Sequence, residues 1–357
     1  MKMMRKKFIE LIQISIGKRD TFSTETTAED WYELWNLSRK HAIAGVLFDG
    51  IKKVGKKGFP QIILFSWIAL VNQIEAGNDL LDTRVVELQH LFAEGGFRTC
   101  ILKGQGISRY YTNPKRRQTG DIDIWVEGER DDILHFLKSK GTIGLIDIKH
   151  CDWQVFEDVT VEVHFIPTLF CNPILNNSLQ LWFARNSGEQ FNPKENEIIH
   201  HPSIEFNLVY SLIHIYRHLF EEGIGLRQLM DYYYVLIQST RKERAETAEV
   251  LYKFQMKRFL ESVMYVMQLV FGLNSEYLIG KPNEQDGLFL LDEILQAGNF
   301  GKYDLRNRQK KTNQFWYNGW LNFQRNFRFI RYYPQEVLWI PIWKLWHYFW
   351  RKRKGYL

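Results

Sequence analysis

The sequence predicts an α+β protein, in which a small mixed β-sheet lies between N-terminal helices and a larger C-terminal helical lobe. Apolar residues recur at helical spacing up to about residue 95 and again from about residue 196, whereas period-two alternation is common between them. Of the 357 residues, 45% are hydrophobic and 25% are charged, ordinary globular values that exclude a disordered chain. The predicted divisions of the chain are 1–95, 96–190, 191–300 and a basic aromatic tail, 301–357.

Residues 1–95 are predicted to be helical. Tryptophan and leucine recur at helical spacing between residues 31 and 37, after a segment, 26–29, that resembles a capping box. Residues 80–92 have the same period, and the two glycines that follow at 95 and 96 are typical of a helix end.

Residues 96–190 are predicted to hold the sheet and one helix, at 131–140. Short segments that alternate apolar and polar residues, or that are rich in β-branched residues, predict strands. These strands are expected at 99–102, 121–126, 143–148, 152–156 and 160–165.

The C-terminal lobe is predicted to consist of helices. The clearest are expected at 206–219, 226–237, 245–271 and 287–295. Beyond residue 301 the tail is expected to be helical in pieces, with breaks at Pro334 and Pro341.

The formal net charge of +6 is distributed unevenly. Residues 301–357 hold 13 Lys or Arg and 2 Asp or Glu, a balance of +11, which leaves −5 for the rest of the chain. The tail also holds 17 aromatic residues, and several tryptophans recur at helical spacing: Trp316, Trp320, Trp339, Trp343, Trp346 and Trp350. Three interpretations stay open: packing against the body, contact of residues 330–357 with an anionic membrane surface, and, as the weakest expectation, nucleic-acid binding.

The expected location is the cytoplasm, with peripheral membrane contact through the tail as an open addition. The three cysteines are an odd number without metal-binding spacing, which fits a reducing compartment. The basic N-terminus does not continue as a signal peptide, because Glu10 and Gln13 interrupt the apolar run. The longest apolar stretch, 62–71, is too short to span a bilayer.

Two carboxylates are the most informative residues for chemistry. Asp121 and Asp123 are two apart on a predicted strand, so their side chains are expected to point the same way. A divalent cation relieves the repulsion between such carboxylates, and Mg²⁺ prefers oxygen ligands. The alternative is an exposed strand face that happens to carry two acids.

A later predicted strand carries Glu162 and His164 on one face and apolar residues on the other. If it lies beside the Asp121 strand, three carboxylates converge and can hold two metal ions. His164 would then contact a phosphate or orient Glu162, or it is a polar residue on a half-exposed strand.

Basic residues and glycines near this pair could bind phosphate. Gly104 and Gly106 follow the first predicted strand, where backbone N–H groups can approach phosphate oxygens, although this spacing is weak evidence by itself. Lys103 at the same turn and Arg117 before Asp121 are the candidate cations.

Two side-chain pairs stand at helical i,i+4 spacing in the C-terminal lobe. His214 and His218 are not expected to bind zinc, because Ile215 replaces the acid of the H-E-x-x-H pattern. Arg227 and Asp231 are expected to form an ion pair.

Together these features resemble the nucleotidyltransferase superfamily with the polymerase-β-like fold. More narrowly, the chain resembles an uncharacterised bacterial nucleotidyltransferase family found in polysaccharide and secondary-metabolite gene neighbourhoods. The resemblance is strongest over residues 100–165 and extends loosely to 225–231 and 298–301. The residues that carry it are Leu102-Lys103-Gly104, Tyr110-Tyr111, Asn113-Pro114, Arg117, Gly120-Asp121-Ile122-Asp123 and Val161-Glu162-Val163-His164.

The resemblance implies a transferase that moves a nucleoside monophosphate from an NTP, such as ATP, to an acceptor. It implies that Mg²⁺ or Mn²⁺ is held by carboxylates, with Asp121 and Asp123 as ligands and Glu162 as the third carboxylate, which ligates a metal or acts as a base. The expected nucleotide-binding residues are Lys103, Gly104, Gln105, Arg117, His164 and Arg227. The acceptor stays open between a small molecule, a glycan precursor and a protein.

Gln105 departs from the superfamily pattern, which usually has Ser or Gly after the first glycine of the turn. The gap from this turn to Asp121 is also longer than usual. The alternative is therefore a non-catalytic protein of the same fold that binds a nucleotide or a partner.

Overall fold

A computed structural model describes residues 2–55, 58–192, 198–306 and 315–356. The predicted α+β class is confirmed, with one five-stranded mixed sheet among the described residues. The predicted boundaries at 95, 190 and 300 stay predictions.

Four helices precede the sheet: α1 (Lys2–Ser15), α2 (Ala28–Lys40), α3 (Ala44–Val54) and α4 (Gln61–Glu94). The capping box of α2 is formed by Thr27 and Asp30, one residue later than predicted, because Thr27 takes the extended conformation of an N-cap. The predicted helix at 80–92 is the second half of α4, whose buried positions continue at helical spacing back to Ile63.

The sheet has the order β1-β2-β5-β4-β3, with only the central pair β2 and β5 parallel among the described strands. Its strands are β1 (Thr99–Ile101), β2 (Ile122–Val126), β3 (Thr142–Ile146), β4 (His150–Gln154) and β5 (Val161–His164). Two helices interrupt them: the short α5 (Gln105–Ser108) and α6 (Arg130–Lys140).

Two strand boundaries differ from the prediction in ways that affect the site. Asp121 lies one residue before β2, and β4 begins at His150 instead of Asp152. The earlier start of β4 follows from its pairing, because His150 lies opposite His164 of β5.

Alternation along β2 and β5 decides which face of the sheet is polar. Ile122 and Ile124 of β2, with Val161 and Val163 of β5, are buried in one apolar cluster with residues of α4 and α6. Asp123 and Glu162, which are opposite each other in the register, therefore project from the other face.

Six helices follow the sheet: α7 (Pro173–Gln190), α8 (Ile204–Glu221), α9 (Leu226–Gln238), α10 (Arg241–Lys253), α11 (Lys257–Phe271) and α12 (Glu284–Ala297). The prediction of one helix over 245–271 is wrong, because Gln255 has a positive φ of 57° and separates α10 from α11. Phe254 and Met256 on either side of this break are buried, which holds the chain in the turn.

The described tail forms α13 (Phe315–Phe327), α14 (Pro334–Val337) and α15 (Ile340–Lys354), so it is helical in pieces as predicted. Pro334 begins α14, in line with the expected break there, but the break expected at Pro341 is wrong, because Pro341 lies in the first turn of α15, where proline is tolerated. The side chains of Trp316 and Trp320 lie outside the described residues.

Part of the tail is packed against the body. Glu336 is fully buried and accepts backbone N–H groups from Cys171, at 2.6 Å, and Asn172, at 3.3 Å. Arg217 of α8 also donates to it at 3.2 Å. In the parts of the chain that the structure describes, no helix has the length and hydropathy to cross a bilayer.

Candidate active site

A cleft of about 350 Å³ lies where the polar face of the sheet meets helices α8 and α9. The sheet side contributes carboxylates and the turn after β1, and the helical side contributes histidines, carboxylates and Arg227. This volume lies at the lower end of the range found for small-molecule binding sites.

Three carboxylates converge in this cleft. Asp121, Asp123 and Glu162 offer oxygen atoms that all lie within 4.8 Å of one another. Asp123 is 2% exposed, Glu162 is half-buried and Asp121 is open to the cleft. The geometry arises because β2 and β5 are parallel neighbours in register.

Asp123 is held by two basic side chains. Lys103 Nζ lies 2.6 Å from its Oδ1, and His164 Nε2 lies 2.9 Å from the same atom. Burial raises the pKa of Asp123, but the charge on Lys103 and the His164 hydrogen bond outweigh burial and hold that pKa well below its usual range. Asp123 is therefore an anion at neutral pH.

The other two carboxylates respond differently. The charge on Asp123, together with burial, raises the pKa of Asp121. Burial also raises the pKa of Glu162, but the His164 hydrogen bond and the nearby basic groups, Lys103 among them, together outweigh burial and lower that pKa to about 2. An added positive charge near Asp121 would relieve its repulsion from Asp123.

His164 and His150 border the carboxylates. His164 Nε2 is also 3.5 Å from Glu162 Oε2, and His150 Nδ1 is 3.8 Å from that oxygen. Burial lowers the pKa of His150 to about 4, which leaves its ring neutral at pH 7. His150, Glu162 and His164 thus form a second group that offers nitrogen as well as oxygen ligands within 4.8 Å.

The turn after β1 brings its backbone to the cleft. Gly104 has a positive φ of 54° and lines the cleft beside Asp121. The Gln105 side chain points elsewhere, since its Nε2 donates to Asp82 Oδ1 of α4 at 2.5 Å. Of the residues expected to bind nucleotide, Gln105 and His164 do not line the cleft, whereas Lys103, Gly104, Arg117 and Arg227 do.

Arg117 forms a buried bidentate pair with Asp231. Its Nε and Nη2 donate to the two carboxylate oxygens, each at 2.8 Å, and Tyr111 Oη donates to Oδ1 at 2.5 Å. The predicted Arg227–Asp231 ion pair is therefore wrong, because Arg117 and Tyr111 take the carboxylate oxygens of Asp231.

Arg227 is left with weak contacts in the described structure. Its side chain is 8% exposed, its guanidinium lies 5.2 Å from the ring centre of Phe300, and its Nη1 is 3.5 Å from the Thr119 carbonyl oxygen. Among the described residues, no hydrogen-bond acceptor reaches its buried Nε. A buried guanidinium in such surroundings is suited to an anionic ligand.

The Gly298–Gly301 segment reaches the cleft by close backbone approach. A Cβ on Gly301 would lie 1.8 Å from the carbonyl oxygen of Glu222, so only glycine fits there. Gln228 Nε2 donates to Asn299 Oδ1 at 3.1 Å, which helps to fix the segment and leaves Phe300 at the cleft. The rings of His214 and His218, 4.3 Å apart, line the same wall and belong to neither group of candidate metal ligands.

Sequence reasoning missed several cleft residues. Lys149 was overlooked because β4, which begins directly after it at His150, was expected to begin two residues later, at Asp152. Glu221 ends α8 and Glu222 follows it, and only the fold brings them to the cleft. Phe300 lies within the 298–301 segment of the resemblance, so that segment was the available signal.

Comparison with known proteins identifies the family of the chain. A family model described as an uncharacterised nucleotidyltransferase matches residues 27–272, a range that contains the sheet, the three carboxylates and Arg227. No curated protein and no solved structure matches the chain. Because the family model covers more than half of the sequence, the chain belongs to the uncharacterised nucleotidyltransferase family.

Proposed function

We propose that this protein is a metal-dependent enzyme of the polymerase-β-like superfamily that transfers a nucleoside monophosphate from an NTP to an acceptor. The acceptor oxygen would attack the α-phosphorus, and pyrophosphate would leave. The observation that carries the proposal is the convergence of Asp121, Asp123 and Glu162 within 4.8 Å in the cleft of a nucleotidyltransferase-family chain.

The donor set fits Mg²⁺ or Mn²⁺. The three carboxylates supply the oxygen ligands that these ions prefer, and Asp121 is open to the cleft, where it can share an ion with phosphate oxygens. A bound divalent ion would neutralise developing charge on the phosphate and lower the pKa of the acceptor hydroxyl. Buried His164 keeps Asp123 and Glu162 in place by contacting both.

The remaining cleft residues would bind and orient the triphosphate. Arg227 has an unused buried Nε, and Lys149 adds a further basic side chain to the lining. Gly104 lets the backbone approach a phosphate without a side chain in the way. Arg117 would act indirectly, because its guanidinium is committed to Asp231 and thereby holds α9 against the segment before β2.

The direct test is calorimetric binding of ATP in the presence of Mg²⁺, together with a pyrophosphate-release assay. For Asp121→Asn/Asp123→Asn we expect activity to fall about 100-fold or more, because charge stabilisation by a metal contributes several kcal/mol. Asp132→Asn, an exposed carboxylate on α6, is the matched control and should behave as wild type. Metal-dependent nucleotide binding that survives the double substitution would contradict the site assignment.

A non-catalytic nucleotide- or partner-binding role is the second candidate. It is favoured by Lys103, which already neutralises Asp123 at 2.6 Å, and by Gln105, which turns away from the cleft. Nucleotide binding without pyrophosphate release from ATP, GTP, CTP or UTP, with small-molecule, glycan and protein acceptors, would support it. Pyrophosphate release that depends on Asp121 and Asp123 would exclude it.

A further inference from the structure

Helix α15 and the residues just before it carry an exposed apolar stripe. Its members recur at helical spacing and are between 45% and 58% exposed: Leu338, Ile342, Leu345, Trp346 and Phe349. Scattered apolar residues are common on protein surfaces, but five on one helical face form a contiguous patch.

The attachment of α15 to the body uses other residues. Trp339 and Trp343 are partly buried against the main apolar cluster, and the Arg217 guanidinium lies 5.4 Å from the Trp343 ring centre. At the other end, the Arg130 guanidinium lies 5.2 Å from the ring centre of Trp350. The helix is therefore docked through its tryptophan-bearing face, and the stripe remains exposed beside that face.

The stripe continues into an apolar groove of about 480 Å³. Ile342 and Trp346 belong to both, and the opposite wall of the groove includes Ile166, Leu169 and Phe170. An apolar surface of this extent has room for hydrocarbon as well as for aromatic contacts.

The sequence that carries the stripe also contains basic residues, and no acidic residue in that sequence compensates their charge. Residues 338–357 contain five Lys or Arg and no Asp or Glu. Lys352, Arg353 and Lys354 form the last turn of α15 and are exposed. Apolar residues on one face with cations at one end are the combination that binds an anionic bilayer surface.

We propose that α15 lies in the headgroup region of an anionic lipid bilayer, with the stripe in contact with acyl chains and Lys352, Arg353 and Lys354 on the headgroups. Leu338, Ile342 and Leu345 are aliphatic and offer nucleic acid no stacking surface, which favours lipid. This proposal does not depend on the catalytic one, because no residue of the stripe lines the cleft.

The test is flotation of the full chain with vesicles of phosphatidylcholine alone and of phosphatidylcholine with phosphatidylserine. We expect binding only to the anionic vesicles, and weaker binding in 0.5 M salt because screening reduces the attraction. Leu345→Ser/Phe349→Ser should reduce the bound fraction at least about tenfold, since two large apolar contacts are lost. Removing three charges by Lys352→Gln/Arg353→Gln/Lys354→Gln should weaken binding roughly 100-fold.

The matched control is Ile62→Ser/Phe65→Ser, which removes two apolar side chains of α4 that are each 66% exposed. It should bind vesicles as wild type does, and thermal melting followed by circular dichroism should show that all variants are folded. The proposal is overturned if wild type does not bind anionic vesicles or if control and stripe variants lose binding equally. It is also overturned if the stripe instead holds a dimer, seen by light scattering, or RNA, seen by anisotropy, and lipid binding is absent.

Discussion

The Lys103 ammonium lies 2.6 Å from Asp123 Oδ1, inside the cluster of carboxylates that we propose to hold metal. Burial lowers the pKa of Lys103, but the surrounding acidic groups, of which Asp123 contributes most, together outweigh burial and hold that pKa above its usual range. The cleft therefore contains a fixed positive charge next to its most buried carboxylate, and any divalent ion must share Asp123 with it.

Substitution of Lys103 should change metal affinity and the stability of the fold in opposite directions. Without the competing ammonium, we expect Lys103→Met to bind Mn²⁺ about tenfold more tightly, as measured by electron paramagnetic resonance titration. The same change should lower the free energy of unfolding by on the order of 3 kcal/mol, because Asp123 loses a buried partner. Lys115→Met, which breaks an exposed pair with Asp79, should change neither quantity. Weaker Mn²⁺ binding by Lys103→Met would show that Lys103 supports the metal site.

Arg227 should contribute to nucleotide binding. Its buried guanidinium has an unused Nε in the cleft, so Arg227→Ala is expected to weaken ATP binding at least about tenfold in calorimetry. Arg227→Lys should recover part of the loss because the charge is retained without the planar fork. Arg98→Ala, which removes an exposed partner of Glu127, is the control. Equal affinities for Arg227→Ala and wild type would remove Arg227 from the nucleotide site.

The Arg117–Asp231 pair should matter mainly for stability. Removing one partner leaves a buried charge, so Asp231→Asn or Arg117→Met should each lower the free energy of unfolding by about 3–5 kcal/mol in urea titrations. The double substitution should cost less than the sum of the two, because both charges are removed. The exposed Arg98–Glu127 pair should contribute about 1 kcal/mol or less. Additive losses for Arg117 and Asp231 would contradict a shared interaction.

His41 should make the fold sensitive to acid. It is fully buried, neither ring nitrogen has a hydrogen-bond partner in the described structure, and burial lowers its pKa to about 3. The unfolded chain, with a histidine pKa near 6.5, binds the proton first, so this contribution to stability is present above pH 6.5 and is lost as pH falls towards 3.

His41→Phe removes this titration and keeps a ring beside Phe8, 5.6 Å away in the native protein. The difference in unfolding free energy between wild type and variant should change by about 1.4 kcal/mol per pH unit between pH 6 and 4, in favour of the variant at low pH. His90→Phe, which replaces a histidine exposed on α4, is the matched control for the substitution itself. A flat difference for His41→Phe would mean that His41 is protonated in the folded protein.

Local sequence patterns predicted the parts of the site that depend on neighbouring residues. The alternation of apolar and polar residues placed Asp123 and Glu162 on the polar faces of their strands. Because the apolar residues of each strand must face the core, the polar residues between them can only face the other way. Alternation within a strand does not show which strands are neighbours in the sheet. The expectation that these two strands pair came from the resemblance to a family.

The misses depend on contacts distant in sequence. Asp231 accepts hydrogen bonds from Arg117, 114 residues away, in place of its helical neighbour Arg227. The Gln105 side chain donates to Asp82 of α4, and residue spacing along the sequence does not predict this contact. The helix break at Gln255 is made by a non-glycine residue in the left-handed conformation. The sequence there has neither the glycine nor the proline that usually signals a helix end.

Helix α4 packs against both the N-terminal helices and the sheet, which limits where a fragment containing the sheet can begin. Its first half, with Ile63, Trp67 and Val71, is buried among the N-terminal helices, whereas Leu81 and Leu88 of its second half are buried under the sheet. A fragment that starts at residue 96 would expose the underside of β2 and β5 to water. We therefore expect the smallest excisable unit that keeps the sheet folded to begin within or before α4, so that at least the second half of this helix belongs with the sheet in one folded unit.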